Sequence, residues 1–173
     1  MNAGSPDASV SIRPLEPSES GLLRDLRLRA LSEAPSAFGS TYAREAGFDD
    51  AEWTERARSW ASERCATWVA FQRDASCGIV ACALDRETDA RSWIVSMWVD
   101  PEVRRRGVGR RLIDEAIAWS RRQSVSEVRL HVTSNNPEAA RLYESIGFRD
   151  TGDTMAHGHM PSLCEIEMRL ELI

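Results

Sequence analysis

Trp93-Ile94-Val95-Ser96-Met97-Trp98-Val99-Asp100-Pro101-Glu102-Val103-Arg104-Arg105-Arg106-Gly107-Val108-Gly109, continuing into Arg110-Arg111-Leu112-Ile113, reads as a strand, a turn and the start of a helix. Trp93 to Val99 is apolar and β-branched or aromatic at most positions, as a buried strand requires, and Asp100-Pro101 cannot continue a ladder. From Val108 the apolar positions Val108, Leu112, Ala116 and Trp119, flanked by Ile113 and Ile117, keep the spacing of one helix face, so a helix begins at about Gly107. Gly107 and Gly109 leave the backbone bare where the first turn presents unpaired N–H groups, which together with the helix dipole favour an anion. Arg104, Arg105, Arg106, Arg110 and Arg111 concentrate positive charge at the same place, and guanidinium groups suit phosphate oxygens. The spacing predicts a pyrophosphate cradle; the bland alternative is a helix start with two convenient glycines and a solvated basic face. No Lys-Ser/Thr follows the second glycine and a third glycine is missing, which argues against nucleoside triphosphate and nicotinamide ligands.

Downstream lies Asn136-Pro137-Glu138-Ala139-Ala140-Arg141-Leu142-Tyr143-Glu144-Ser145-Ile146-Gly147-Phe148. With Arg104-x-x-Gly107-x-Gly109 after a strand ending Val99-Asp100-Pro101, it resembles the GCN5-related N-acetyltransferases (GNAT), over about Ser11 to Leu170. The resemblance implies one mixed α/β (α+β) domain over residues 10–173, with helices on both faces of a mixed, mostly antiparallel sheet of about six to seven strands. It implies acetyl-CoA as the acetyl donor, no metal, and transfer to a primary amine of a small molecule. Protein α-amine or lysine acetylation, and an acyl-CoA sensor without turnover, are the alternatives. By the same resemblance the main chain of Met97, Trp98 and Val99 holds pantetheine in a gap between two splayed strands. Arg104, Arg105, Arg106, Gly107, Val108, Gly109 and Arg110 surround the diphosphate, Asn136 contacts CoA, and Tyr143 gives a proton to the departing sulfur. Helix capping explains Asn136 equally well, and Tyr143 also reads as a core tyrosine. Homodimers are common in the resembled family.

A chain of 173 residues with 42% hydrophobic content suits a single domain with a real core. No apolar run approaches the roughly 20 residues of a membrane span, and the first residues lack a signal-peptide pattern, so a cytoplasmic protein away from membranes is expected. The net charge of −5 argues against a nucleic-acid partner and assigns the local arginines to one anionic ligand. Cys65, Cys77, Cys82 and Cys164 lack metal or redox spacing and read as buried thiols, and His157-x-His159 is only a weak metal signal.

In chain order, Met1 to Ser9 reads as a disordered tail and Ser11 to Leu15 as a short edge strand. Ser18 or Ser20 is expected to cap a helix through about Leu31, Ala34 to Asp50 to be a loop, and Asp49 or Asp50 to cap a helix over roughly Glu52 to Ser62. Thr67 to Phe71 and Cys77 to Leu84 form a predicted hairpin joined by Gln72 to Ser76. Val128 to Val132 should lie parallel to the central strand, Pro137 to Gly147 should be a helix capped by Asn135 or Asn136, and Phe148 to Thr154 and Cys164 to Leu170 the last strands, joined by Gly152 to Ser162. Segments between the early helices cover the acceptor side in the resembled family, which nominates Phe38 and Tyr42 as substrate contacts, with His157 from the last connection. Plugging the core under a long loop is the equal alternative for both aromatics. No ionisable residue occupies the central strand, so Glu33, His131 and His157 remain open candidates for the general base.

Overall fold

The computed structural model describes residues 9–172, so the expected tail lies outside the described residues except for Ser9. The strands are β1 (Val10–Pro14), β2 (Cys65–Gln72), β3 (Ala75–Leu84), β4 (Arg91–Val99), β5 (Glu127–Thr133), β6 (Arg149–Ala156) and β7 (Cys164–Glu171). They form one 7-stranded sheet in the order β1-β2-β3-β4-β5-β7-β6. Among the described residues β4 and β5 are parallel and every other neighbouring pair is antiparallel, the mixed sheet that the sequence leads one to expect.

Two apolar layers hold the sheet. Helix α4 (Val108–Arg122) buries Val108, Leu112, Ile113, Ala116, Ile117 and Trp119 against Ala70, Val80, Cys82, Ile94 and Leu130. Its approach is close: a Cβ on Gly78 of β3 would meet Leu112 Cδ1 at 3.1 Å and the Trp98 carbonyl at 3.2 Å. On the other face, α1 (Ser20–Glu33) and α3 (Asp50–Trp60) bury Leu23, Leu26, Ala30, Leu31, Trp53 and Ala57 over Val69, Ile79 and Trp98. Alternation along β2, with Val69 in one layer and Trp68 and Ala70 in the other, lets one strand serve both.

Several local expectations are corrected. Neither Ser18 nor Ser20 caps α1; Glu19 holds the cap position, and its carboxylate instead accepts Arg13 Nη1 and Nη2 at 2.8 and 2.6 Å and the Glu16 N–H at 2.9 Å. The stretch Ala34 to Asp50 is not a plain loop. It contains a 3-10 turn at Pro35–Ala37 and α2 (Tyr42–Ala46), whose Glu45 is buried. α3 starts earlier than expected because Asp49 and Glu52 form a reciprocal capping box. The hairpin connection shrinks to Arg73 and Asp74, with Arg73 at φ +56°. Cys77 and Cys82 are buried, but Cys65 and Cys164 are only partly so; all four are free. The last helix, α5 (Pro137–Ile146), has the expected Asn136 cap and ends at Gly147 with φ +116°.

Leu112 is wholly enclosed where α4 meets β3 and β4. Leu112→Ala is expected to lower unfolding free energy by about 3 kcal/mol, read as a shifted urea midpoint at unchanged slope.

Candidate active site

The parallel ladder between β4 and β5 is short, running from Arg91↔Glu127 to Ile94↔Leu130. Opposite, β3 pairs Ala81 with Val95 and Ile79 with Trp98, so Val80 faces both Ser96 and Met97. β4 therefore carries one extra residue, and Ser96 sits at φ +55°, the left-handed region that a bulge of this kind usually gives to glycine. The bulge turns β4 away from β5. Beyond it the two strands diverge around a cleft of about 360 Å³, walled by Val95 to Val99 on one side and Leu130 to Thr133 on the other. Main-chain groups of β4 that would otherwise continue the ladder face this cleft unpaired to β5.

The joint between β4 and α4 closes one end. Asp100 accepts the Glu102 N–H at 3.0 Å and Arg29 Nη2 at 2.6 Å, which fixes the turn at Pro101. Gly107 caps α4 at φ +78°, and the first intrahelical bond runs from Arg111 N–H to the Gly107 carbonyl at 3.1 Å. The amides of Val108, Gly109 and Arg110 thus precede the hydrogen-bonded turns. Gly109 is bare for a reason: a Cβ there would lie 3.2 Å from both Met97 Cε and Leu142 Cδ2. The result is a groove floor where a ligand can touch main chain.

The arginines divide. Arg105 and Arg110 line the cleft with exposed side chains. Arg104 also lines it, but its guanidinium is braced by the Val99 carbonyl at 2.8 Å and Glu33 Oε2 at 2.6 Å. Arg106 is exposed and not part of the cleft wall, and Arg111 points to the Val10 carbonyl at 2.7 Å, tying down β1 rather than adding to the cradle. Val108 is buried in the core, leaving only its amide available. Met97, Trp98 and Val99 line the cleft, with the Trp98 side chain in the core and its Nε1–H donating to Glu33 at 2.9 Å.

α5 supplies the opposite wall. Asn136 accepts the Ala139 N–H at 3.1 Å, so it caps the helix and lines the cleft at once. Tyr143 is buried, stacked edge-on against Phe148, and reaches the cleft with no hydrogen-bond partner on its hydroxyl among the described residues. Burial pushes that hydroxyl up to about 12, so it is protonated at neutral pH.

The three residues nominated for substrate contact are not brought to the cleft wall. Phe38 lies in the core beneath Arg27, Tyr42 borders a separate surface groove beside Arg24 and Glu33, and His157 is buried with Nε2 3.1 Å from the Ser36 carbonyl. His159 Nε2 lies 3.2 Å from the Pro35 carbonyl, so both rings staple the 3-10 turn at Pro35–Ala37 to the connection between β6 and β7. Of the base candidates, Glu33 is engaged by Trp98 and Arg104, whereas His131 lines the cleft where the strands part. Its ring stacks on Trp93 at 4.9 Å, and its Nε2 is 3.8 Å from Glu167 Oε2. Glu167 was not legible as a partner, since only the pairing of His131 with Glu167 across β5 and β7 brings the two together.

Residues 28–148 match the model of the acetyltransferase (GNAT) family. The [Ribosomal protein bS18]-alanine N-acetyltransferase of Escherichia coli (strain K12) is 27% identical over 110 residues, 64% of this chain and 72% of that protein. Human N-acetyltransferase 8 is 34% identical over 101 residues, 56% of this chain and 44% of its own length. Among solved structures, yncA from Salmonella typhimurium with its cofactor acetyl-CoA superposes with a TM-score of 0.78 at 18% identity, over 95% of both chains. The acetyltransferase of GNAT family from Streptococcus pneumoniae gives 0.77 at 19%, over 95% of this chain and 100% of that one. At these identities the structural likeness concerns the fold.

Tyr143 also leaves a mark on stability. A tyrosine in the unfolded chain ionises near pH 10, so the raised folded value contributes stability that is present below about pH 10 and lost as pH rises toward 12. Between pH 9 and 11 the wild type should lose about 1 kcal/mol more than Tyr143→Phe, measured by urea titration at the two pH values.

Proposed function

The chain belongs to the acetyltransferase (GNAT) family, and from that premise we propose that it moves the acetyl group of acetyl-CoA to a primary amine of a small molecule. One observation carries the reading: the gap between β4 and β5 unites bare α4 amides at one end with a protonated Tyr143 hydroxyl, without a hydrogen-bond partner among the described residues, in the same cleft. The residues present fit the cofactor. Amides of Gly107, Val108, Gly109 and Arg110, with Arg105 and Arg110 guanidinium groups, would hold its diphosphate, and Arg106 adds charge nearby. Main chain of Met97, Trp98 and Val99, with apolar Ala139 and Leu142 opposite, would hold its pantetheine arm, and Asn136 sits at the same wall. Arg104 acts through the turn it braces.

When bound, acetyl-CoA supplies an acyl group activated as a thioester. With it bound, the β4 main chain would orient the acyl carbonyl, and Tyr143 would give its proton to the leaving sulfur as the C–S bond breaks and be reprotonated, through solvent, by the proton that the newly acylated nitrogen sheds. His131, lined up with Glu167, accepts a proton from the incoming ammonium group or passes it through water, so the amine attacks in its neutral form. The stapled turn of Pro35–Ala37, whose Ser36 carbonyl also accepts Thr133 Oγ1–H at 2.7 Å, borders the cleft through Ala37, which supports a compact acceptor. The four free cysteines suit a reducing compartment, and we place the protein in the cytoplasm. A second reading, acetylation of a protein's α-amine, is favoured by the likeness to the bS18-alanine enzyme of Escherichia coli.

Release of CoA with a panel of small amines, set against peptides with free N-termini, decides between the two readings; no release with either class rejects both. Tyr143→Phe is expected to lower kcat about 100-fold while acetyl-CoA affinity changes little. His131→Gln should lower kcat/KM about 10-fold or more at neutral pH and recover as rising pH neutralises the amine. A loss that does not change with pH would remove His131 from the proton path.

A further inference from the structure

The bulge that opens the cleft rests on a residue poorly suited to it. Ser96 holds φ +55°, where a side chain with a Cβ is strained, and the chain places no glycine at this point. A buried arginine reaches it from α1. Arg27 Nη1 donates to Ser96 Oγ at 3.0 Å, while Arg27 Nε donates to Glu45 Oε2 at 3.0 Å and Nη2 to Oε1. Arg27 is 3% exposed and Glu45 fully enclosed, so neither group has water as an alternative partner. Arg56 adds a second donor to Glu45 at 3.2 Å, and Phe38 and Trp60 pack over the Arg27 guanidinium at 5.0 and 5.4 Å. The fork is therefore fixed in place before it touches β4.

We propose that Arg27, locked by Glu45, is a positioning residue that holds Ser96 in its left-handed conformation, keeps the β4 bulge formed and so aims the Met97 to Val99 main chain into the cleft. It touches no ligand and acts through Ser96. Such a buried ion pair is a poor source of net stability, because desolvating two charges offsets most of their attraction; its value lies in fixing one geometry. The consequence for acetyl-CoA rests on the function proposed above, whereas the consequence for the strand does not.

The test uses Ser96 rather than Arg27, because removing Arg27 strands a buried carboxylate and is expected to unfold much of the protein. Ser96→Ala deletes the hydroxyl and keeps the strained Cβ; Ser96→Gly deletes the hydroxyl and removes the strain. In the ligand-free chain, amide hydrogen exchange of residues 95–99 should speed up in Ser96→Ala and return toward the wild-type rate in Ser96→Gly. Acetyl-CoA affinity should follow the same order, with Kd raised about 10-fold in Ser96→Ala and most of that loss recovered in Ser96→Gly. Equal exchange in Ser96→Ala and wild type, or equal loss in the two variants, overturns the proposal. Wild-type protein that binds no acetyl-CoA rejects the functional reading, and the exchange measurement still decides the brace.

Discussion

One extra residue in β4 governs the molecule. A parallel pair can continue only while its strands stay in register, and the insertion of Ser96 opposite Val80 ends that register after Ile94. The cleft between β4 and β5 lies in the space this opens. The amides at the head of α4, the Asn136 cap and the Tyr143 hydroxyl would be ordinary features of a closed sheet with helices on top. They become one site because the sheet parts where they converge.

Charge is organised on the same principle of local need. The chain is acidic overall, yet Arg105 and Arg110 present exposed side chains at the cleft, held by long contacts to Glu138 at 3.6 Å and the Ser145 carbonyl at 3.5 Å, while other arginines are bound more tightly into structure: Arg104 to Glu33, Arg29 to Asp100, Arg27 to Glu45. A guanidinium donates in several directions from one plane, which suits it both to gripping phosphate and to bracing main chain. Burial alone would raise the Glu45 carboxyl, but the hydrogen bond and charge of Arg27, with the charge of Arg56, outweigh it and hold Glu45 below the usual carboxylate range. That pair stays charged inside the protein and keeps a fixed shape.

Sequence reasoning succeeded where an interaction is local. The strand, turn and helix around Gly107, the Asn136 cap, the αL exit at Gly147 and the shared face of α5 each depend on residues a few positions apart. It could not place Phe38, Tyr42 and His157, which lie off the cleft wall: Phe38 fills the core, the alternative reading for it, Tyr42 borders another groove and His157 holds the Ser36 carbonyl. Arg27 carried a signal that was available: a charge between Leu23, Leu26, Ala30 and Leu31 on the buried face of an amphipathic helix implies a buried partner. What that partner is could not be read, because Glu45 belongs to a short helix with no periodicity of its own.

The sequence by itself determined the strands and the longer helices, the glycine-marked start of α4 and the family, though not the short α2, since capping, hydrophobic period and glycine placement act over a turn or two of chain. The tertiary structure alone decided which arginines face the cleft, that His131 meets Glu167 across β5 and β7, and that Arg27 reaches Ser96 from 69 positions away. Those contacts are made by the pairing register and by packing between layers, and neither is written in the spacing of neighbouring residues.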